Sequence, residues 1–124
     1  MSQPVSDERR RRSEGYGRFA EALCRGLLRV KGYRILATRL KTPLGEIDIV
    51  ARRGDTLAVV EVKARRNWAS ASEAVGARQL GRLSRAAHVF LAANPQYAGL
   101  TLRFDVMLVT PFALPRHLQD AWRL

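Results

Sequence analysis

At 124 residues and 47% apolar, the chain has the length and composition of one soluble domain with a core of its own. Twenty-two Lys and Arg against eleven Asp and Glu leave +11; nearly all of these cations are arginine, whose planar forks suit phosphate oxygens, so a nucleic-acid backbone is the first partner to expect and an anionic membrane the second. No window approaches the roughly 18 apolar residues of a spanning helix, so the membrane is set aside as a partner, and the single cysteine, Cys24, excludes an internal disulfide and a multi-cysteine zinc site.

The first 13 residues are polar, carry Arg9, Arg10, Arg11 and Arg12, and lack the apolar region of a secretory signal, which predicts a disordered basic tail on a cytoplasmic protein. Residues 14–124 form the expected single domain and keep 18 Lys and Arg against 9 Asp and Glu, so a charge of +9 belongs to the domain itself. From Glu14 to Gly32, the residues Phe19, Ala20, Leu23, Cys24, Leu27 and Leu28 recur at helical spacing, with Arg18, Arg25 and Arg29 on the other side. Tyr33 to Leu40 reads as a first strand, and Thr42-Pro43-Leu44-Gly45 as a turn. Glu46 to Ala51 and Leu57 to Ala64 read as a hairpin about Gly54-Asp55. Ser70 with Glu73 resembles a capping box, and Leu80, Leu83, Ala87, Phe90 and Leu91 give the following helix its apolar face. Leu102 to Val109 is a fourth strand, and Leu114 to Leu124 is expected as a short C-terminal helix. The order predicts an α/β fold, a mixed sheet flanked by helices.

Strand alternation would put Glu46, Asp48 and Val50 on one face, and Leu57, Val59, Glu61 and Lys63 on one face of the next strand. With Gly54 and Asp55 central in the turn, Asp48 falls opposite Glu61 and Glu46 opposite Lys63. Opposed residues have Cβ atoms about 4.5–5.5 Å apart, and like charges so placed are destabilising unless compensated. A divalent cation would compensate them; carboxylate oxygens suit Mg²⁺ or Mn²⁺ and leave positions open for water and phosphate. Lys63 reaches the same space, where its ammonium would orient water or stabilise charge on a phosphate. The plainer reading is an exposed ribbon with Glu46 paired to Lys63, against which Leu57 and Val59 imply a covered face.

Gly45-Glu46-Ile47-Asp48 followed by Glu61-Val62-Lys63 resembles the PD-(D/E)XK nuclease core. The fuller set is similar to the small bacterial YraN family, relatives of archaeal Holliday-junction resolvases: Gly17, Ala20 and Glu21, Gly32-Tyr33, Gln79 and Leu83, and Arg103-Phe104-Asp105-Val106. Ile47 stands where the signature has proline. The resemblance implies a restriction-endonuclease-like core, Asp48 and Glu61 as metal ligands assisted by the Val62 carbonyl, Lys63 as the catalytic lysine, and Glu21 as a further catalytic or ligating group. Glu21 has an alternative as an exposed partner of Arg25. The resemblance further implies a metal-dependent endonuclease acting on DNA, branched DNA included, and a homodimer. The rival is a non-catalytic nucleic-acid-binding module that keeps the fold, and RNA is not distinguished from DNA.

Arg65 and Arg66, just past the metal motif, are candidate nucleic-acid contacts. Beside them Trp68 would stack on an unpaired base or cover the core edge. Gln79 and Arg82, with Arg78 and Arg85, face either a nucleic-acid backbone or solvent. His88 and His117 lack metal-ligand spacing and are expected to be structural or exposed. Cys24 lies on the apolar stripe as a buried thiol, and Trp122 is expected to pack.

Overall fold

The computed structural model describes residues 4–66 and 76–122, with side chains from residue 17 onward. Helix α1 runs Pro4–Val30 and takes in most of the segment expected as a tail. Its Ala20, Cys24 and Leu28, four residues apart, are wholly buried, so one stripe of the helix holds it to the sheet. Gly32, at φ +92°, ends it: the N–H of Tyr33 bonds the Leu28 carbonyl and that of Gly32 the Arg29 carbonyl, satisfying the last turn.

Five strands follow the order β1 Arg34–Thr42, β2 Gly45–Arg53, β3 Thr56–Ala64, β4 Thr101–Val109 and β5 Arg116–Leu118, each hydrogen-bonded to the next. All neighbours are antiparallel except β3 and β4, which are parallel. The crossover between them carries α2, Ala77–Ala93, and a short 3₁₀ turn at Pro95–Tyr97. Alternate strand residues bury on opposite sides. Ile49, Ala51, Ala58, Val60, Met107 and Val109 pack under α1, whereas Ile47, Val50, Leu57 and Val59 pack with Leu83, Ala86, Ala87 and Phe90 of α2. The result is the α/β fold predicted, a mixed sheet between two helices, consistent with a restriction-endonuclease-like core.

The C-terminal segment departs from expectation. Instead of a helix over Leu114 to Leu124, Arg116–Leu118 forms an edge strand with Val106↔Leu118 and Leu108↔Arg116 as partners. Leu118, Ala121 and Trp122 then cover Val106 and Leu108. Pairing satisfies the outer edge of β4, which a helix would leave open. It also brings His117 to Asp105, a wholly buried carboxylate on β4. Arg103 grips Asp105 with two 2.8 Å bonds, His117 Nε2 lies 2.8 Å away, and the Asp120 N–H donates at 2.9 Å. Lys31 Nζ lies 2.6 Å from the other imidazole nitrogen, and Arg103 also donates to the Tyr33 hydroxyl. Lys31 offers only donors, so His117 accepts at Nδ1 and donates from Nε2. Burial pushes the Asp105 carboxyl up, but the bonds from His117, Arg103 and Asp120 outweigh it and hold the group below its ordinary value. This network ties the end of α1 to β4 and β5, the structural role open to His117. Trp122 packs as expected, its indole N–H donating to the Gly76 carbonyl at 2.8 Å.

Candidate metal centre

The hairpin register is the one its turn chemistry predicts, from Arg53↔Thr56 to Ile49↔Val60, with Gly54 at φ +58°. The next pair would be Asp48 with Glu61, and there the described ladder stops. In its place the Asp48 carboxylate accepts the N–H of Val62 at 2.8 Å. In a strand the N–H and C=O of one residue point the same way, so the Val62 carbonyl also faces the Asp48 side.

The expectation that the charged groups share one face is not met. Ile47 and Val50 both pack toward α2, three residues apart, so the alternation of β2 slips by one between them. The cause lies on β1. Thr38↔Ile49 and Leu40↔Ile47 set Arg39 across from Asp48, and Arg39 sits at φ +50°, outside strand geometry. Asp48 consequently turns toward α1, where it lines a cavity of about 240 Å³ with Gly17, Ala20, Glu21, Val62, Ala64 and Arg65. Glu61 keeps to the α2 side. There its Oε1 lies 3.2 Å from Lys63 Nζ and 3.3 Å from the Arg82 guanidinium. Glu46 faces Lys41 in the β1–β2 register, and among the described residues no ion pair joins it to Lys63, whose ammonium lies 3.2 Å from Glu61.

Asp48 nonetheless sits in a field of acids. Burial pushes its carboxyl up, the Val62 N–H pulls it partly back, and the charges of Glu61, Glu21 and Glu46 add to the rise, leaving it at about 6. Glu61 is only 8% exposed, and its Oε2 is buried with no hydrogen-bond partner. A native interior rarely tolerates such an oxygen unless something outside the chain completes it. Glu21 is bound to Arg39 at 2.8 Å, not to Arg25. Both flanking acids are thus held by arginines, and among the described residues no three His, Cys, Asp or Glu stand as a ready-made cage.

Gly45 makes the approach of α2 possible. At φ +152° it lies against Arg82, and a Cβ there would stand 2.7 Å from Arg82 Cγ and 3.3 Å from its carbonyl oxygen. Gln79, one turn earlier on the same side of α2, has a buried side-chain oxygen without a partner. Arg65 and Arg66 are exposed at the end of β3, with Arg65 on the Asp48 cavity. Trp68, Ser70 and Glu73 lie outside the described residues.

The model of an uncharacterised protein family, UPF0102, matches residues 20–109, which include Glu21, Asp48, Glu61 and Lys63. The chain belongs to the UPF0102 family. That family, the YraN type, is PD-(D/E)XK nuclease-like, as the motif spacing implied. A UPF0102 protein of Parvibaculum lavamentivorans is 59% identical over 107 residues, covering 86% of this chain and 80% of that protein. Others are 47% identical in Maricaulis maris (91% of this chain, 89% of that protein) and 48% in Chelativorans sp. (91% of each), both over 113 residues. The UPF0102 match also spans Tyr33, Arg103 and Asp105. No spacing in the sequence joins them to His117, which reaches Asp105 and Lys31 only through the β4–β5 pairing. His88 is exposed and lies 2.7 Å from the Ser84 carbonyl, away from these acids. The Cys24 thiol is pushed up to about 12 by burial and by the charges of Asp48 and Glu21, an inert packing group. Among the described residues no helix is long and apolar enough to cross a membrane.

Proposed function

We propose that this protein is a divalent-metal-dependent endonuclease that hydrolyses phosphodiester bonds in DNA, branched DNA included. What supports this reading is the buried Oε2 of Glu61, which has no hydrogen-bond partner among the described residues, together with the Asp48 carboxyl, which burial first and the charges of Glu61, Glu21 and Glu46 next push up to about 6. A cation bound where the β2–β3 ladder ends would satisfy the one carboxylate and neutralise the other.

Asp48 and Glu61 would hold Mg²⁺ or Mn²⁺, with the Val62 carbonyl as a third oxygen donor. The donor set is all oxygen, as these hard cations require. A bound ion supplies Lewis acidity, activating water and neutralising charge on the phosphate. Lys63, its side chain 13% exposed and its ammonium 3.2 Å from Glu61, would donate to the attacking water or to a phosphate oxygen. Arg82, half-exposed beside the same carboxylate, would exchange that partner for a phosphate. Glu21, released from Arg39, would accept a proton from water or serve as a further ligand. Arg65, Arg66 and Gln79 border these groups and would hold the flanking backbone.

The test is cleavage of labelled four-way, duplex and single-stranded DNA, and of RNA, with Mn²⁺ or Mg²⁺, by the wild type and Asp48→Asn. Cation-dependent cleavage of DNA, lost in Asp48→Asn while binding persists, supports the reading. Binding without cleavage under every metal condition would instead favour a non-catalytic nucleic-acid-binding module, and preferential cleavage of RNA would change the substrate.

A further inference from the structure

A second feature beside these acids gathers four arginines around one glutamate. Between α1 and the edge strand β1 lies a cavity of about 590 Å³, lined by Arg18, Glu21, Arg25 and Arg29 of the helix and by residues 35–39 of the strand. Arg18, Arg25 and Arg29 have no ion pair among the described residues, while Arg39 is held by Glu21 at 2.8 Å. Arg18 and Arg29 are exposed and Arg25 is half-buried, so the three guanidiniums are open to an anion from solvent. Arg18, Arg25 and Arg29 are seven and four residues apart, so they form one stripe roughly 16 Å long by the helical rise. The strand wall adds Ile35, Leu36 and Ala37, which have no polar side-chain group, and then Thr38 and Arg39. Glu21 lines both this groove and the Asp48 cavity, so the two lie side by side with the Glu21–Arg39 ion pair between them.

We infer that this groove is a track for the sugar-phosphate backbone of one unpaired nucleic-acid strand, which it leads to Asp48. The charge fits a polyanion, and a single stripe of arginines along one helix fits the phosphates of one strand. Contacts made to phosphates carry no sequence information, so binding is independent of sequence. Arg39 stands at the junction: a phosphate that takes its guanidinium frees Glu21 beside Asp48. The direction of the track rests on the endonuclease reading; the binding itself does not.

The experiment measures anisotropy of a labelled oligothymidylate at several salt concentrations, in EDTA, with the full chain. Arg25→Gln with Arg29→Gln is compared with Arg34→Gln plus Arg52→Gln, which removes equal charge from facing register partners at the far end of β1 from Arg39. The groove variant is expected to bind about tenfold or more weakly, with a salt slope reduced by about 1.4, from roughly 0.7 for each lost phosphate contact to a single strand. The control should stay near wild type, and unlabelled duplex should compete less well than single strand. Equal losses in both variants, no loss in either, or equal competition by duplex would overturn the track. The same proteins are then assayed for cleavage with Mn²⁺. Wild-type cleavage with unimpaired binding by the groove variant would sink the track and leave the endonuclease standing; a groove effect without cleavage would do the reverse.

Discussion

Asp48 is predicted to destabilise the metal-free protein, and Asp48→Asn should show by how much. Its carboxyl moves from 3.8 to about 6 on folding, roughly two units at about 1.4 kcal/mol each, or up to ~3 kcal/mol. Because the group borders an open cavity, solvent screening brings the expected figure to about 1.5–3 kcal/mol. The sign follows from the direction of the shift. The fold prefers the protonated acid, so this contribution is fully present below the unfolded value of 3.8, is lost as pH rises through about 6, and is absent at pH 7.5. Asparagine is neutral throughout, and its side-chain oxygen still accepts from Val62. In thermal unfolding with EDTA at pH 7.5, Asp48→Asn should melt about 4–10 °C above wild type, with roughly half that gain at pH 5. Adding Mn²⁺ should raise the wild type and not the variant. A variant no more stable than wild type in EDTA, or a gain that does not shrink at pH 5, would refute the electrostatic account of this carboxyl.

Asp105→Asn should act in the opposite direction, costing about 2–4 kcal/mol at neutral pH because it leaves the half-buried Arg103 beside a neutral partner; chemical denaturation measures this. The depressed Asp105 carboxyl contributes stability above its unfolded value that is lost as pH falls through its lower folded value, so the wild-type advantage should vanish in acid. Gly45→Ala should cost about 1–3 kcal/mol and push Arg82 away from Glu61, visible as a loss of Mn²⁺-dependent cleavage larger than the loss of Mn²⁺ binding. The Cys24 thiol should remain unmodified by a thiol reagent at pH 8 in the native protein and react at once in denaturant.

Local chemistry made much of this fold legible. Gly54-Asp55 specifies a tight hairpin, and the register from Arg53↔Thr56 to Ile49↔Val60 follows from it. The stripe Ala20, Cys24, Leu28 and the face Leu83, Ala87, Phe90 are the buried sides of the two helices. The slip at Asp48 was not legible, since nothing in the sequence marks Arg39 as a residue that takes a positive φ in mid-strand. That slip sends Asp48 toward α1 while Glu61 remains toward α2, so correct register did not imply a shared face. The C-terminal strand escaped for another reason. Leu114, Leu118, Ala121 and Trp122 have helical spacing, but the open edge of β4 and the buried Asp105 both need what only a paired strand with His117 supplies. The Glu21–Arg39 and Glu61–Arg82 ion pairs join residues 18 and 21 positions apart. Only the assembled sheet brings them together.

The most direct test of the metal centre is Mn²⁺ binding followed by the electron paramagnetic resonance signal of the free ion, with wild type, Asp48→Asn and Glu61→Gln at pH 7.5. One Mn²⁺ bound per wild-type chain, with binding lost or weakened at least tenfold in each variant, is the predicted result. No Mn²⁺ taken up by wild type, or uptake unchanged in both variants, would contradict the assignment of Asp48 and Glu61 as the metal ligands.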